Sequence, residues 1–405
     1  MGFHHGLSGL NAASKSLDVS GHNIANSNTI GFKKSRAEFN EMVASAMGSG
    51  QCPGSAGAGI GVSVAAVTQQ FSQGVITPTA NGLDMAINGD GFFVVNTPSG
   101  TAYTRNGAFQ LDKNGFLVTA NGDKVQGWAD ANATGTQPVD LQFPTGAGIP
   151  GRQTTGLSIQ AANLPATAPD ATSVTPNTPR HTYGTSLQVY DSQGVAIPVE
   201  VYFVKNGSNT WDVYDTLDPA VTTPVGQVTF DGEGKFVSST VTGLNVDPSA
   251  ANPNNPPAPF NVTLDLSGMT QNDRKWSVDK MTQDGYASGE LTGVNVSKDG
   301  TLMASYSNGL TRPEGKVALA RFTNPQGLAP NGNNNWVQTN DSGPVLYGSA
   351  GAGSFGQIQG AALEESNVDL TAELVGMMTA QRSYQANAQT IKTQDQVFST
   401  LVNLR

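Results

Sequence analysis

The chain has one cysteine, Cys52, in 405 residues, set in the run Gly48-Ser49-Gly50-Gln51-Cys52-Pro53-Gly54. A single thiol closes no internal disulfide and builds no cysteine-type zinc site, and no histidine lies near it in sequence to activate it. Charge is scarce as well. Asp, Glu, Lys and Arg make up 13% of the residues, about half the usual share. The charges that are present sum to −10, with a pI near 4.8, which opposes binding to nucleic acid or to an anionic membrane surface. No run approaches the ~18 apolar residues of a spanning helix. Met1-Gly2-Phe3-His4-His5 leads straight into an amphipathic pattern, with neither the basic nor the apolar segment of a signal peptide. Export without a conventional cleaved signal is the expectation, should the protein leave the cell.

Patterns that carry chemistry are missing too. The four histidines, His4, His5, His22 and His181, form no metal-ligand spacing, and no nucleophile elbow occurs. Gly351-Ala352-Gly353-Ser354-Phe355-Gly356 matches the dinucleotide fingerprint in letters. That motif needs a helix immediately after it, whereas Gln357-Ile358-Gln359-Gly360 alternates like a strand. Asp84, Asp90, Asp191 and Asp231 fall in turns, where a carboxylate caps the backbone and gives no sign of a paired acid and base. No catalytic residue, cofactor or metal is expected.

Turn formers and apolar residues are what the chain has: 48 Gly, 22 Pro and 37% hydrophobic residues, a mix for many short strands with cores of their own. Asp112-Lys113-Asn114-Gly115, Asp191-Ser192-Gln193-Gly194 and Asp231-Gly232-Glu233-Gly234 each sit between alternating apolar runs, and Lys298-Asp299-Gly300 is a shorter relative. In each the Asp can accept bonds from its own turn and the Gly can take positive φ. The paired strands expected are Ala108–Leu111 with Phe116–Thr119, Ser186–Val189 with Ile197–Val204, and Gln227–Phe230 with Lys235–Ser238. Met47–Gly61, Gly146–Arg152 and Asn245–Pro259 read as joints or breaks.

The two ends differ from everything between them. Phe3, Leu7, Leu10, Leu17 and Ile24 follow an alternating four-three spacing, with Ser14 and Gly21 in the missing slots. That spacing predicts a coiled-coil-like helix from Gly2 to about Ala25, ~36 Å long. The same spacing runs through Leu370, Leu374, Met377, Gln381, Tyr384, Ala388, Ile391, Asp395, Phe398 and Val402. Ser366-Asn367-Val368-Asp369 offers a capping box ahead of it. A narrow stripe on a long helix leaves it marginal until packed. Two accounts stay open on periodicity: a helical hairpin closing one domain, or seams completed by neighbouring subunits. The fold class is therefore mainly β with long terminal α-helices, nested β domains lying between an N-terminal and a C-terminal coiled-coil-like helix.

Three longer motifs carry a resemblance. Asn23-Ile24-Ala25-Asn26-Ser27-Asn28-Thr29-Ile30-Gly31-Phe32-Lys33 resembles the signature of the flagellar rod, hook and hook-associated axial proteins. Leu83-Asp84-Met85-Ala86-Ile87-Asn88-Gly89-Asp90-Gly91-Phe92-Phe93, followed by Tyr103-Thr104-Arg105-Asn106-Gly107-Ala108-Phe109, resembles the block that rod and hook members share. Glu365-Ser366-Asn367-Val368-Asp369-Leu370 and Gln381–Lys392 are similar to the C-terminal motif of the hook members in particular.

The resemblance implies an inner helical domain from residues 1–60 and 361–405, a middle β domain from 61–145 and 283–360, and an outer β domain from 146–282. It implies no enzyme but a subunit that polymerises with itself into a curved tube, a universal joint passing motor torque to the filament and enclosing an export channel. The implied assembly interface uses Leu7, Leu10, Leu17, Ile24, Leu370, Leu374, Met377, Tyr384, Ile391 and Phe398. Implied partners are rod subunits at the base, the hook cap, the hook–filament junction proteins and the flagellar type III export apparatus, at an extracellular position on the basal body and hook. A distal rod subunit is the nearest alternative, disfavoured by the segment Gly151–Met281, since rod members are shorter. A junction protein would differ in its middle motifs. A secreted β-rich enzyme or adhesin would explain the composition but not the paired ends.

Overall fold

A computed structural model describes residues 2–43, 59–130, 137–143, 148–170, 180–218, 221–251, 253–254 and 256–403. Cys52 and most of the Gly-rich stretch Met47–Gly61 lie outside the described residues. Helix α1 spans Gly2–Ala25 and helix α2 spans Leu370–Asn403, with strands between them, as the two periodicities predict. The cap of α2 differs in detail from the expected box. Asp369 itself accepts from the N–H groups of Thr371 and Ala372, at 2.9 and 3.2 Å, while Ser366 closes a local turn onto Val368.

The chain divides into two compact units. One comprises Met1–Thr145, Gly293–Ser305 and Thr311–Arg405, the other Gly146–Thr292 and Tyr306–Leu310. The break expected at Gly146–Arg152 thus coincides with a unit boundary. Asn245–Pro259 does not mark one. It connects Leu244–Val246 to Phe260–Asp265, which pair antiparallel within the second unit, so its prolines shape a loop and not a joint.

In the first unit Phe92–Thr97 pairs with Gly100–Thr104, Lys124–Trp128 and Thr311–Arg321. Its first four residues are buried, as expected of a strand covered on both faces. Phe71, Phe92, Tyr103, Phe322 and Trp336 meet edge to face beside it. Two short ribbons bring the approach to α2 onto this sheet: Gln357–Gly360 pairs with Met85–Asn88, and Ala362–Glu364 with Ile76–Pro78. Gln357–Gly360 is a strand, as read, and the glycine run before it precedes no helix.

The second unit is a sandwich of two sheets. One follows the order Gly184–Tyr190, Ala196–Lys205, Thr210–Tyr214, Gly226–Phe230, Phe236–Ser239, all antiparallel. The other is built around Gly156–Pro165. Side chains of both enter one core, with Trp211 fully buried and its indole N–H donating to Gln271 at 3.0 Å.

The three expected Asp-x-x-Gly hairpins form alike. Asp112, Asp191 and Asp231 each accept two backbone N–H bonds at 2.7–2.9 Å, and Gly115, Gly194 and Gly234 take φ near +80°. The expected strand pairs are present with ends that differ by one or two residues, shorter in the first pair, longer in the second and shifted in the third. One element escaped the sequence reading. Ser35–Val43, read only as part of the inner helical domain, pairs with Gly59–Gln69 as a two-stranded ribbon.

Candidate assembly site

Helices α1 and α2 run antiparallel and touch through small residues. A Cβ on Gly6 would stand 2.9 Å from Cγ1 of Ile391, and one on Gly9 would stand 2.7 Å from the Asn387 amide. At such distances the Ile391 or Asn387 side chain would have to shift to admit a Cβ, so the two glycines let these side chains lie against the α1 backbone. Ala13 and Val19 of α1 and Ala380 of α2 are buried. Met377, Asn387, Ile391 and Gln394 are half-covered, so α2 presents to α1 a face running through Met377, Ala380, Asn387, Ile391 and Gln394.

That face is offset from the seam the sequence predicts. Met377 and Ile391 are shared by the face and the predicted seam, and Leu10, Leu17 and Ile24 of α1 are half-buried. Leu7, Leu370, Leu374, Tyr384 and Phe398 are exposed, Leu374 at 49% and Phe398 at 58%. Val375 and Met378 add to the uncovered side. Leu370, Leu374 and Met378 sit at i, i+4 and i+8, one row of the helix surface. The helix therefore has two apolar edges, one spent on α1 and one facing outward. The ribbon adds a second uncovered patch, since Phe39 pairs with Val64 on the face that also carries Val67, and all three are exposed.

The roots of the two helices are tied to the β body by buried polar contacts. The ammonium of Lys33, just beyond α1, lies 2.6 Å from Glu364 Oε1 and donates to the Ser72 carbonyl at 2.8 Å. Arg105 reaches the other carboxylate oxygen at 3.0 Å and the Gly89 carbonyl at 2.8 Å. Glu364 also accepts from the Gly74 N–H at 2.9 Å. Burial pushes the Lys33 ammonium below the ordinary lysine range, against the pull of Glu364, with Arg105 adding to the lowering. Asn23 bonds both backbone groups of Ser35, at 2.8 and 2.9 Å. Asn367 accepts from the Lys34 N–H and donates to the Gln70 carbonyl, each at 2.8 Å. Gly31, at φ +69°, passes so close to Arg105 that a Cβ there would lie 2.6 Å from its carbonyl carbon.

The three motifs singled out in the sequence thus meet at one place. Asn23, Gly31 and Lys33 come from the first, Arg105 from the second and Asn367 from the third, with Glu364 one residue ahead of it. Sequence reasoning named the motifs but not this convergence.

Family models match in chain order: flagella basal body rod protein over residues 3–33, flagellar hook protein FlgE/F/G D1 domain over 86–174, flagellar basal body protein FlaE D2 domain over 163–286, and flagellar basal body rod FlgEFG protein C-terminal over 359–404. The flagellar hook protein FlgE of Escherichia coli K12 is 43% identical over 420 residues, covering 100% of both chains. This chain belongs to the flagellar hook protein family. Hook proteins of Salmonella typhimurium and Borreliella burgdorferi are 42% and 32% identical, covering 100% and 99% of each chain. The full-length match to hook proteins decides for a hook subunit over a distal rod subunit, so the chain is a structural, self-polymerising component of the flagellar hook. The crystal structure of Helicobacter pylori hook protein FlgE2 shares the fold, with a TM-score of 0.52 at 17% identity, covering 71% of this chain and 100% of that one.

Proposed function

We propose that this hook subunit polymerises through Leu7, Leu10, Leu17, Ile24, Leu370, Leu374, Met377, Tyr384, Ile391 and Phe398, with the exposed Leu7, Leu370, Leu374, Tyr384 and Phe398 making the first contact and the half-covered remainder completing the seam. The observation that carries this reading is the row Leu370, Leu374 and Met378, left uncovered after α2 has packed on α1. An open helical polymer needs one patch to dock on a different patch of the next subunit, and the antiparallel pair and the ribbon offer distinct apolar patches.

In the assembled hook the helix pair forms the inner domain, with 61–145 and 283–360 as the middle domain and 146–282 as the outer one. The tube encloses the export channel, carries torque as a universal joint and performs no catalysis. Its ends meet rod subunits below and the cap and junction proteins above, and its subunits pass through the type III export apparatus. Removing residues 370–405 tests the reading. The β body should stay folded and soluble and form no tubes under the electron microscope. Tubes from the truncated chain would overturn it.

A further inference from the structure

The cluster at the helix roots holds two cations against one carboxylate where solvent does not reach: Lys33 and Glu364 side chains are fully buried and Arg105 is nearly so. The Nε of Arg105 has no hydrogen-bond partner among the described residues. Taking charges out of water is costly, and a buried ion cluster is often no more stabilising than apolar groups of the same volume. Stability alone does not explain why a lysine occupies this position. Its geometry offers another reason. The Lys33 ammonium connects the segment leaving α1 to Glu364, on the segment entering α2, and to Ser72, on the strand approach between them. Arg105 holds the same carboxylate to the body's sheet. An apolar side chain could fill the space but would not specify the direction in which these segments meet, as a buried polar group can.

We infer that Lys33 is a positioning residue for assembly, tying the root of α1 to the carboxylate that roots α2 and so giving the helix pair one seat on the β body. The inference rests on the assembly reading above. It locates a rigid point in a subunit whose polymer bends.

The test is Lys33→Met in the full-length chain, which keeps the Arg105–Glu364 pair intact. Two quantities are read: hydrogen-exchange protection of Phe92–Thr97 and Gln357–Gly360, and the lowest protein concentration that yields sedimentable tubes. Protection should stay level or rise while the threshold rises about tenfold, because removing a buried charge relieves desolvation but releases the seat. Assembly at the wild-type threshold would overturn the inference and leave the assembly reading standing. Protection and assembly falling together would also overturn it, since Lys33 would then serve stability alone. Wild-type protein that forms no tubes would overturn the assembly reading itself.

Discussion

The ammonium of Lys33 lies 2.6 Å from the carboxylate of Glu364, although 331 residues separate them in the chain. Glu364 is the shared acceptor for both cations of the cluster. Glu364→Ala should therefore cost about 3–5 kcal/mol, the scale for a buried pair that loses one partner and leaves charge uncompensated. Segment-resolved hydrogen exchange checks this. Protection should drop across Ile76–Pro78 and Ala362–Glu364 and remain in the second unit. Unchanged protection would show that the cluster is solvated.

The contact between the helices makes a paired prediction. Gly9→Val places a branched side chain where the Asn387 amide lies within 2.8 Å, and should weaken the α1–α2 pair by about 1–3 kcal/mol. Gly21→Ala meets nothing within 4 Å and should stabilise α1 by up to about 1 kcal/mol. Helical circular dichroism against urea separates the two. Equal behaviour would mean that the glycines do not set the approach.

A second pair lies in the Asp231 hairpin. Gly234 stands at φ +80°, and a Cβ there would fall 1.9 Å from the Gln271 carbonyl oxygen, whereas Gly232 faces open space. Gly234→Ala should lower the stability of the second unit by at least about 1–2 kcal/mol, with Gly232→Ala near neutral. Thermal unfolding of both variants tests the turn geometry.

These hairpins also show what the sequence makes legible. Asp112, Asp191 and Asp231 announce their turns because each interaction spans four residues and each glycine is needed for its φ. The helices are legible for the same reason, since Leu370, Leu374 and Met377 repeat within a turn or two. The Lys33–Glu364–Arg105 cluster has no local pattern, because its members approach only when the ribbons Met85–Asn88 with Gln357–Gly360 and Ile76–Pro78 with Ala362–Glu364 have paired. The ribbon Ser35–Val43 was missed because its apolar alternation is short: Ala37 and Phe39 alternate with Arg36, Glu38 and Asn40, and Glu41 then breaks the pattern. The four-three spacing located the stripe on α2 but not its occupant, since Ala380 and Asn387, which face α1, are not the apolar residues that draw the eye.

Alkaline stability should depend on Tyr202. Burial, with a hydrogen bond to Glu200 at 2.6 Å, pushes its hydroxyl up to about 12 from an ordinary 10.0. The folded state then holds a proton that the unfolded state loses. Its contribution is fully present below pH 10 and is lost as pH rises through about 12, by at most about 1.4 kcal/mol per pH unit. Tyr202→Phe should flatten that limb in urea titrations followed across this range. An unchanged slope would assign the effect to other groups.

The uncovered row on α2 carries the account of assembly, and the double variant Leu370→Glu with Leu374→Glu tests it most directly. Purified wild-type and variant chains, concentrated side by side, are scored by electron microscopy for tubes and by thermal unfolding for the fold. Wild-type protein should form tubes, while the variant should unfold at the same temperature and stay monomeric. Tubes from the variant at the wild-type concentration would contradict the assignment of this face to the hook interface.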